Sequence, residues 1–366
     1  MDSKSSPPYF DYILATKLST LISNLNRYFS LCLLICGTIG GILNILTFTR
    51  RSLNTNPCTS YFLASSISDL IVIYSGLLGR FPSSLNINPT FTSPVLCKLQ
   101  FYLLYSSLSL SSWFILSASV DRFLSSCRNA RIRNLSTKKS SYHVVIILTI
   151  CSLLIWLEVF YCYDANLPIG QGILVPCFTH SNQCALFNSI FVTVVQNLAP
   201  ALLMTLFGLL TVSNIKTISQ QIVPSIIVAS SGGVPSTHRM KQKDRQITIM
   251  LLVQVTLLTV DSMLIPVFSF YQYATSSSEK SATQLFIENA FVLQLLLLLS
   301  FLHSSSTFFI YTLSGKIFRK ELNSLFFSTC KRLGLRNVQQ RTDVTNTENN
   351  STLNRNRMRI TTISIQ

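Results

Sequence analysis

Charge is what this sequence has least of. Asp, Glu, Lys and Arg together make up 11% of the 366 residues, against about 25% in soluble domains. Mean hydropathy is positive, +0.43. A chain of this length has room for two or three soluble domains, but apolar runs fill most of it, which leaves one membrane-embedded domain. Histidine is also scarce. The four present (His143, His180, His238, His303) are scattered, which excludes the clustered His and carboxylate set of a metal-dependent enzyme. No nucleotide-binding loop or soluble catalytic motif occurs. Ten-residue alternating strands are missing, which excludes a transmembrane barrel. The first 27 residues have no early apolar core of the kind that marks a cleavable signal peptide, so the first apolar run is expected to serve as the insertion signal. No internal repeat is visible, which disfavours a transporter built from two related halves.

What is present is seven apolar runs: Tyr28–Phe48, Leu63–Leu78, Cys97–Val120, Val144–Phe160, Leu186–Val212, Ile247–Phe270 and Leu285–Leu313, the second and fourth with flanks. A helix rises about 1.5 Å per residue and the hydrocarbon core is about 30 Å thick, so each run is long enough to cross. Helix is the state that satisfies the backbone of such a run internally. The net charge of +16 does not point to nucleic acid, because the basic residues sit at the ends of the apolar runs. With the N-terminus outside, 23 of the 29 Lys and Arg fall on inner segments, the positive-inside pattern. The expected layout is an extracellular tail (1–27), a seven-helix domain (28–315), a short amphipathic helix (316–330) and a disordered cytoplasmic tail (331–366). The longest internal loop, Ser213–Arg245, has a flexible centre at Ser230–Thr237.

Three constellations carry chemistry. Cys97 and Arg122 are 25 residues apart, roughly 37 Å of helix, so with Arg122 at the inner face Cys97 lies at the outer, oxidising one. Its disulfide partner is Cys177 or Cys184. Cys177 is preferred because it lies in the middle of the next outer loop. Asp121–Arg122–Phe123 ends the same helix. The carboxylate can hold the guanidinium in a charge-assisted bond that a cytosolic partner breaks, or Arg122 simply obeys the positive-inside rule. Asp69 lies inside the second run, where a carboxylate is costly and functional by default. Asn44, Ser111, His303, Ser304 and Thr307 are its candidate polar partners. The site they suggest is a cation site, sodium for instance, or a protonation switch, with a neutral packing knot as the alternative. Pro200 and Pro266 are set to kink the fifth and sixth helices. Asp261, Glu158 and Glu288 have no assigned role.

The order and spacing of Asn44, Asp69, Cys97, Asp121–Arg122–Phe123, Trp156, Pro200 and Pro266 resemble the rhodopsin-like (class A) G-protein-coupled receptors. The resemblance covers roughly residues 28 to 330. The stretch TFFIYTLSGKIFRKEL (Thr307–Leu322) resembles invertebrate neuropeptide-type members, with Tyr311 at the activation tyrosine and Cys330 at a lipidated position. It implies an extracellular ligand, a heterotrimeric G protein that docks at Arg122, arrestin and a receptor kinase acting on the tail, membrane lipids around the bundle, and no catalysis. Departures are visible. Thr307–Phe308 replaces asparagine–proline before the tyrosine. Leu264 replaces the tryptophan two residues before Pro266, and Val260 the phenylalanine four before that. Gly208 replaces the fifth-helix tyrosine. Gln246 replaces the acid that locks Arg122, so Asp121 is expected to restrain it alone. Leu104 occupies the position where amine receptors carry Asp, which argues against a biogenic amine, and the seventh run has no lysine for retinal. Gln100, Tyr105, Gln196, Tyr271 and Gln294 join Leu104 as candidate lining of a cleft suited to a peptide. The competing reading is a seven-helix carrier that uses Asp69, Asp261 and Glu158.

Overall fold

The computed structural model describes residues 8–80, 93–169, 173–222, 235–275, 278, 280–281, 284 and 287–332. Seven helices are long and apolar enough to cross a membrane: α1 (Thr16–Phe48), α2 (Pro57–Leu77), α3 (Pro94–Ser126), α4 (Lys138–Cys162), α5 (Gln183–Ile215), α6 (Arg245–Ala274) and α7 (Leu293–Ser314). An eighth, α8 (Lys316–Arg332), follows. The seven expected crossings are therefore present, and the chain is a multi-pass membrane protein. It divides into two compact units, Met1–Ile317 and Phe318–Gln366. The first holds the seven-helix bundle. In the second, Phe318 and Leu322 are four residues apart and share one face of α8.

Local chemistry sets the helix starts. Asn56 caps α2 by accepting from the Cys58 N–H at 3.0 Å, with Pro57 at the first helical position. Ser93 and Pro94 repeat the device at α3. Thr137 caps α4, accepting from the Ser140 N–H at 3.1 Å. A side-chain oxygen satisfies an orphan N–H, and proline has no N–H to leave orphaned.

Packing follows small residues inward and aliphatics outward. Ile146, Ile147, Ile150 and Leu154 of α4 and Leu202, Leu206 and Leu209 of α5 are exposed on the bundle surface, where they can meet lipid. Gly37 and Gly41 bring α1 against Ile73 and Leu70 of α2, and Gly40 brings it against Phe308 of α7. Close approach through small residues is the usual basis of helix association in membranes. Ser152 of α4 donates to the Ser106 carbonyl of α3 at 3.1 Å.

Three local features differ from the sequence expectation. Residues Pro8–Asn24 are helical and continue through a π-helical turn (Leu25–Phe29) into the rest of α1, Ser30–Phe48, so the N-terminal segment is not a simple tail. The segment between α4 and α5 forms an antiparallel hairpin of β1 (Tyr163–Ile169) and β2 (Ile173–Thr179). Helix also enters the long internal loop from both sides, as far as Ile222 and from Pro235. The expected flexible centre lies largely outside the described residues, and so does nearly all of the tail.

Candidate functional site

At the hairpin end, two disulfides frame an open cavity. Cys97 at the head of α3 is bonded to Cys177 of β2, the pairing preferred from topology. Cys184 has its own partner, Cys162 at the end of α4. This second bond was missed because Cys162 reads as part of an apolar run. Cys97, Trp156, Val159, Cys162, Tyr163 and Cys184 form one buried cluster. Trp156 stacks on Tyr105 at 5.2 Å, and the hydroxyls of Tyr105 and Tyr163 lie 2.9 Å apart.

The cavity measures about 760 Å³, within the usual range for ligand sites. Gln100, Leu104, Tyr105, Gln196 and Gln294 all line it. Tyr271 does not appear in its lining. It donates instead to Glu288 at 3.0 Å, where Lys280 (2.5 Å) and Gln284 (2.9 Å) also converge. The Lys280 bond, with help from Gln284 and Tyr271, holds the Glu288 carboxyl below its ordinary pKa. Tyr271 is thus committed to a knot where the chain passes from α6 to α7, which a local reading of the sequence could not foresee. Ser19, Ser23 and Asn26 of α1 form part of the cavity wall. Arg80 also lines it, and burial lowers its pKa to about 10, so it stays charged at neutral pH.

The cavity floor meets the intramembrane cluster. Ser111 and Ser304 line the cavity, Ser111 donates to Asp69 at 2.7 Å, and Ser304 bears on the same carboxyl. The hydroxyls of Ser65 and Ser111 lie 3.1 Å apart. Asn44 donates to Thr307 at 3.4 Å, one helix turn below Ser304. His303 lines the cavity but makes no hydrogen bond to Asp69 among the described residues, so it leaves the expected set. One oxygen of Asp69 and one of Asn44 are buried without hydrogen-bond partners. Carboxylate, amide and hydroxyl oxygens are the donor chemistry of a hard cation, so the residues fit a sodium ion.

At the opposite end Arg122 is buried and paired with Asp121 at 2.8 Å. It also donates to Asn56 Oδ1 at 2.8 Å, and Asp121 accepts from Ser136 at 2.6 Å. The expectation that Asp121 restrains Arg122 alone is therefore corrected. The residue that caps α2 shares the guanidinium, a contact spanning 66 positions that no local motif signals. Gln246 accepts from the Ile317 N–H at 2.9 Å and so ties α6 to the first turn after α7. Phe123 packs on Phe207 of α5 at 5.5 Å. Tyr311, buried between Phe48 and Phe62, donates to Gln254 of α6 at 2.7 Å. Cys330 falls in the last turns of α8.

No curated protein matches the chain. The family model described as 7 transmembrane receptor (rhodopsin family) matches residues 40–311, from the glycines of α1 to Tyr311, and so takes in the disulfide-framed cavity, the Asp69 cluster and the Asp121–Arg122 pair. The chain belongs to the rhodopsin family of 7 transmembrane receptors.

Proposed function

We propose that this receptor sits in the plasma membrane with its N-terminus outside, binds a peptide in the cavity, and activates a heterotrimeric G protein at the Arg122 end. The observation that carries the reading is the shared floor: Ser111 and Ser304 belong both to the cavity and to the Asp69 cluster. A ligand that favours one arrangement of that floor shifts a two-state bundle by its differential affinity. A sodium ion held by Asp69, Ser111, Ser304 and Asn44 would favour the resting arrangement. Below it, Tyr311–Gln254 joins α7 to α6 and Arg122–Asn56 joins α3 to the start of α2. Outward motion of α6 separates the first pair and exposes Arg122.

The orientation rests on two supports. Disulfides need an oxidising compartment, and the four bonded cysteines lie at the cavity end. The basic residues concentrate on the other side, as positive-inside topology requires. The finer reading of the ligand as a neuropeptide rests on the size and mixed polar and aromatic lining of the cavity. Arrestin and a receptor kinase would act on tail hydroxyls such as Thr342, Thr345 and Thr347, which lie outside the described residues. The carrier reading requires paired broken helices in two halves and finds no support in the family match.

The test is a peptide-library screen on cells that express the chain with a promiscuous G protein. The expected outcome is a peptide response that Arg122→Lys abolishes at equal surface level. A response indifferent to that change, or no response to any peptide, contradicts the proposal.

A further inference from the structure

The cavity holds a cation and an acid that have no charge partners among the described residues. Arg80 donates to Gln294 Oε1 at 2.8 Å and to Asn26 Oδ1 at 3.2 Å. Both are neutral amide oxygens. They orient the guanidinium from α7 and from α1 without neutralising it. Its carbon stands 5.2 Å from the centroid of the Phe301 ring, which adds a cation–π platform. That platform is built in: a Cβ at Gly76 would run into the Phe301 ring, so only glycine lets the ring lie there. Among the described residues no carboxylate is within ion-pair distance of Arg80. Asp261 of α6 lines the same cavity and makes no hydrogen bond or ion pair among the described residues. Lys280 and Glu288, by contrast, pair with each other at 2.5 Å. His303 faces the cavity as well.

An arginine fixed by two amides and an aromatic face presents a planar fork to a carboxylate. An unpaired carboxylate on the wall of the same cavity suits a basic group. We propose that the ligand is amphoteric: a short peptide whose carboxylate pairs with Arg80 and whose basic side chain or amine pairs with Asp261. This inference rests on the cavity being the ligand site of the proposed receptor. The carboxylate can come from a free C-terminus or from an acidic side chain, and the experiment separates the two.

The purified full chain in lipid nanodiscs is melted with four tetrapeptide pools. The first has one Lys or Arg, no acid and a free C-terminus. The second is the first with its C-terminus amidated. The third is amidated with one Glu added. The fourth is the first with its basic residue replaced by norleucine and its amino terminus acetylated. The first pool should raise the melting temperature if the C-terminus supplies the carboxylate, and the third if a side chain does. The second and fourth should raise it much less, reflecting apparent affinity about ten- to a hundredfold weaker. Arg80→Gln should remove the advantage of the carboxylate-bearing pools over the second, and Asp261→Asn the advantage of the first over the fourth. The melting of each variant without peptide verifies its fold. Gly76→Ala should weaken the carboxylate preference while Arg80 is still present. Equal shifts from all pools, no shift from any, or preferences that survive both variants overturn the proposal. Nucleotide exchange on added G protein is read separately. Selective peptide stabilisation without exchange refutes the signalling reading and leaves the ligand class standing. Exchange driven equally by the amidated, acid-free pool does the reverse.

Discussion

Two of the groups that hold Arg122 are of different kinds, and the difference sets what each variant should do. Asp121 supplies charge and Asn56 supplies a neutral oxygen, each at 2.8 Å. Arg122→Lys keeps the positive charge but loses the planar fork that reaches both. It is expected to preserve surface delivery and cut G-protein signalling strongly. Asp121→Asn removes the charge partner and should raise basal signalling. Asn56→Asp keeps a capping oxygen for α2 and adds a charge to the guanidinium, so it should lower basal signalling; radioligand-free nucleotide exchange measures both. Glu288 gives a pH signature. Its carboxyl is held below its ordinary pKa by Lys280. A depressed folded-state pKa gives stability that is present above the ordinary value and lost as pH falls through the depressed one. Acidification below about pH 4, the ordinary carboxylate range, should therefore lower the melting temperature of the wild type more than that of Glu288→Gln. Equal losses would show that the knot contributes nothing.

The hairpin between α4 and α5 gives Tyr163 and Cys177 to the cavity wall. One disulfide ties β2 to α3 and the other closes the hairpin at its base. A disulfide stabilises by about 2–4 kcal/mol, chiefly by restricting the unfolded chain. Cys184→Ser is thus expected to destabilise on a scale similar to Cys177→Ser, rather than much less, and thermal melting of the two variants compares them. What could be read from the sequence here was uneven, for physical reasons. Cys97 and Cys177 are legible because the expected topology puts Cys97 at the oxidising face and Cys177 in mid-loop. Cys162 sits in an apolar run, where a cysteine looks like any small hydrophobe. Asn56 and Gln254 were missed as partners of Arg122 and Tyr311 because their contacts cross 66 and 57 positions, which no local period encodes. Five of the six expected lining residues do meet at the cavity, since each lies in the half of its apolar run that is nearer the hairpin end. Tyr271 is drawn away by an acid on a neighbouring segment.

Over the whole molecule, hydropathy made the seven crossings legible because a lipid-facing helix must be apolar along its length. Helix ends were less legible: polar segments such as Pro8–Asn24 and Pro235–Gln246 continue helices beyond the apolar windows. The proposed orientation makes a prediction for the whole chain. The Asn-x-Ser/Thr sequons, at Asn134, Asn349 and Asn350, then all face the cytosol, and glycan-removing enzyme should leave electrophoretic mobility unchanged. A shift would reverse the topology. The central claim is that a bundle with a ligand cavity at one end signals through Arg122 at the other. Its most direct measurement is nucleotide exchange on purified heterotrimeric G protein by the chain in nanodiscs, for wild type, Asp121→Asn, Arg122→Lys and the double variant. The account predicts exchange highest with Asp121→Asn and at the empty-nanodisc baseline for both variants that lack Arg122. Four folded samples that give the same exchange would contradict it.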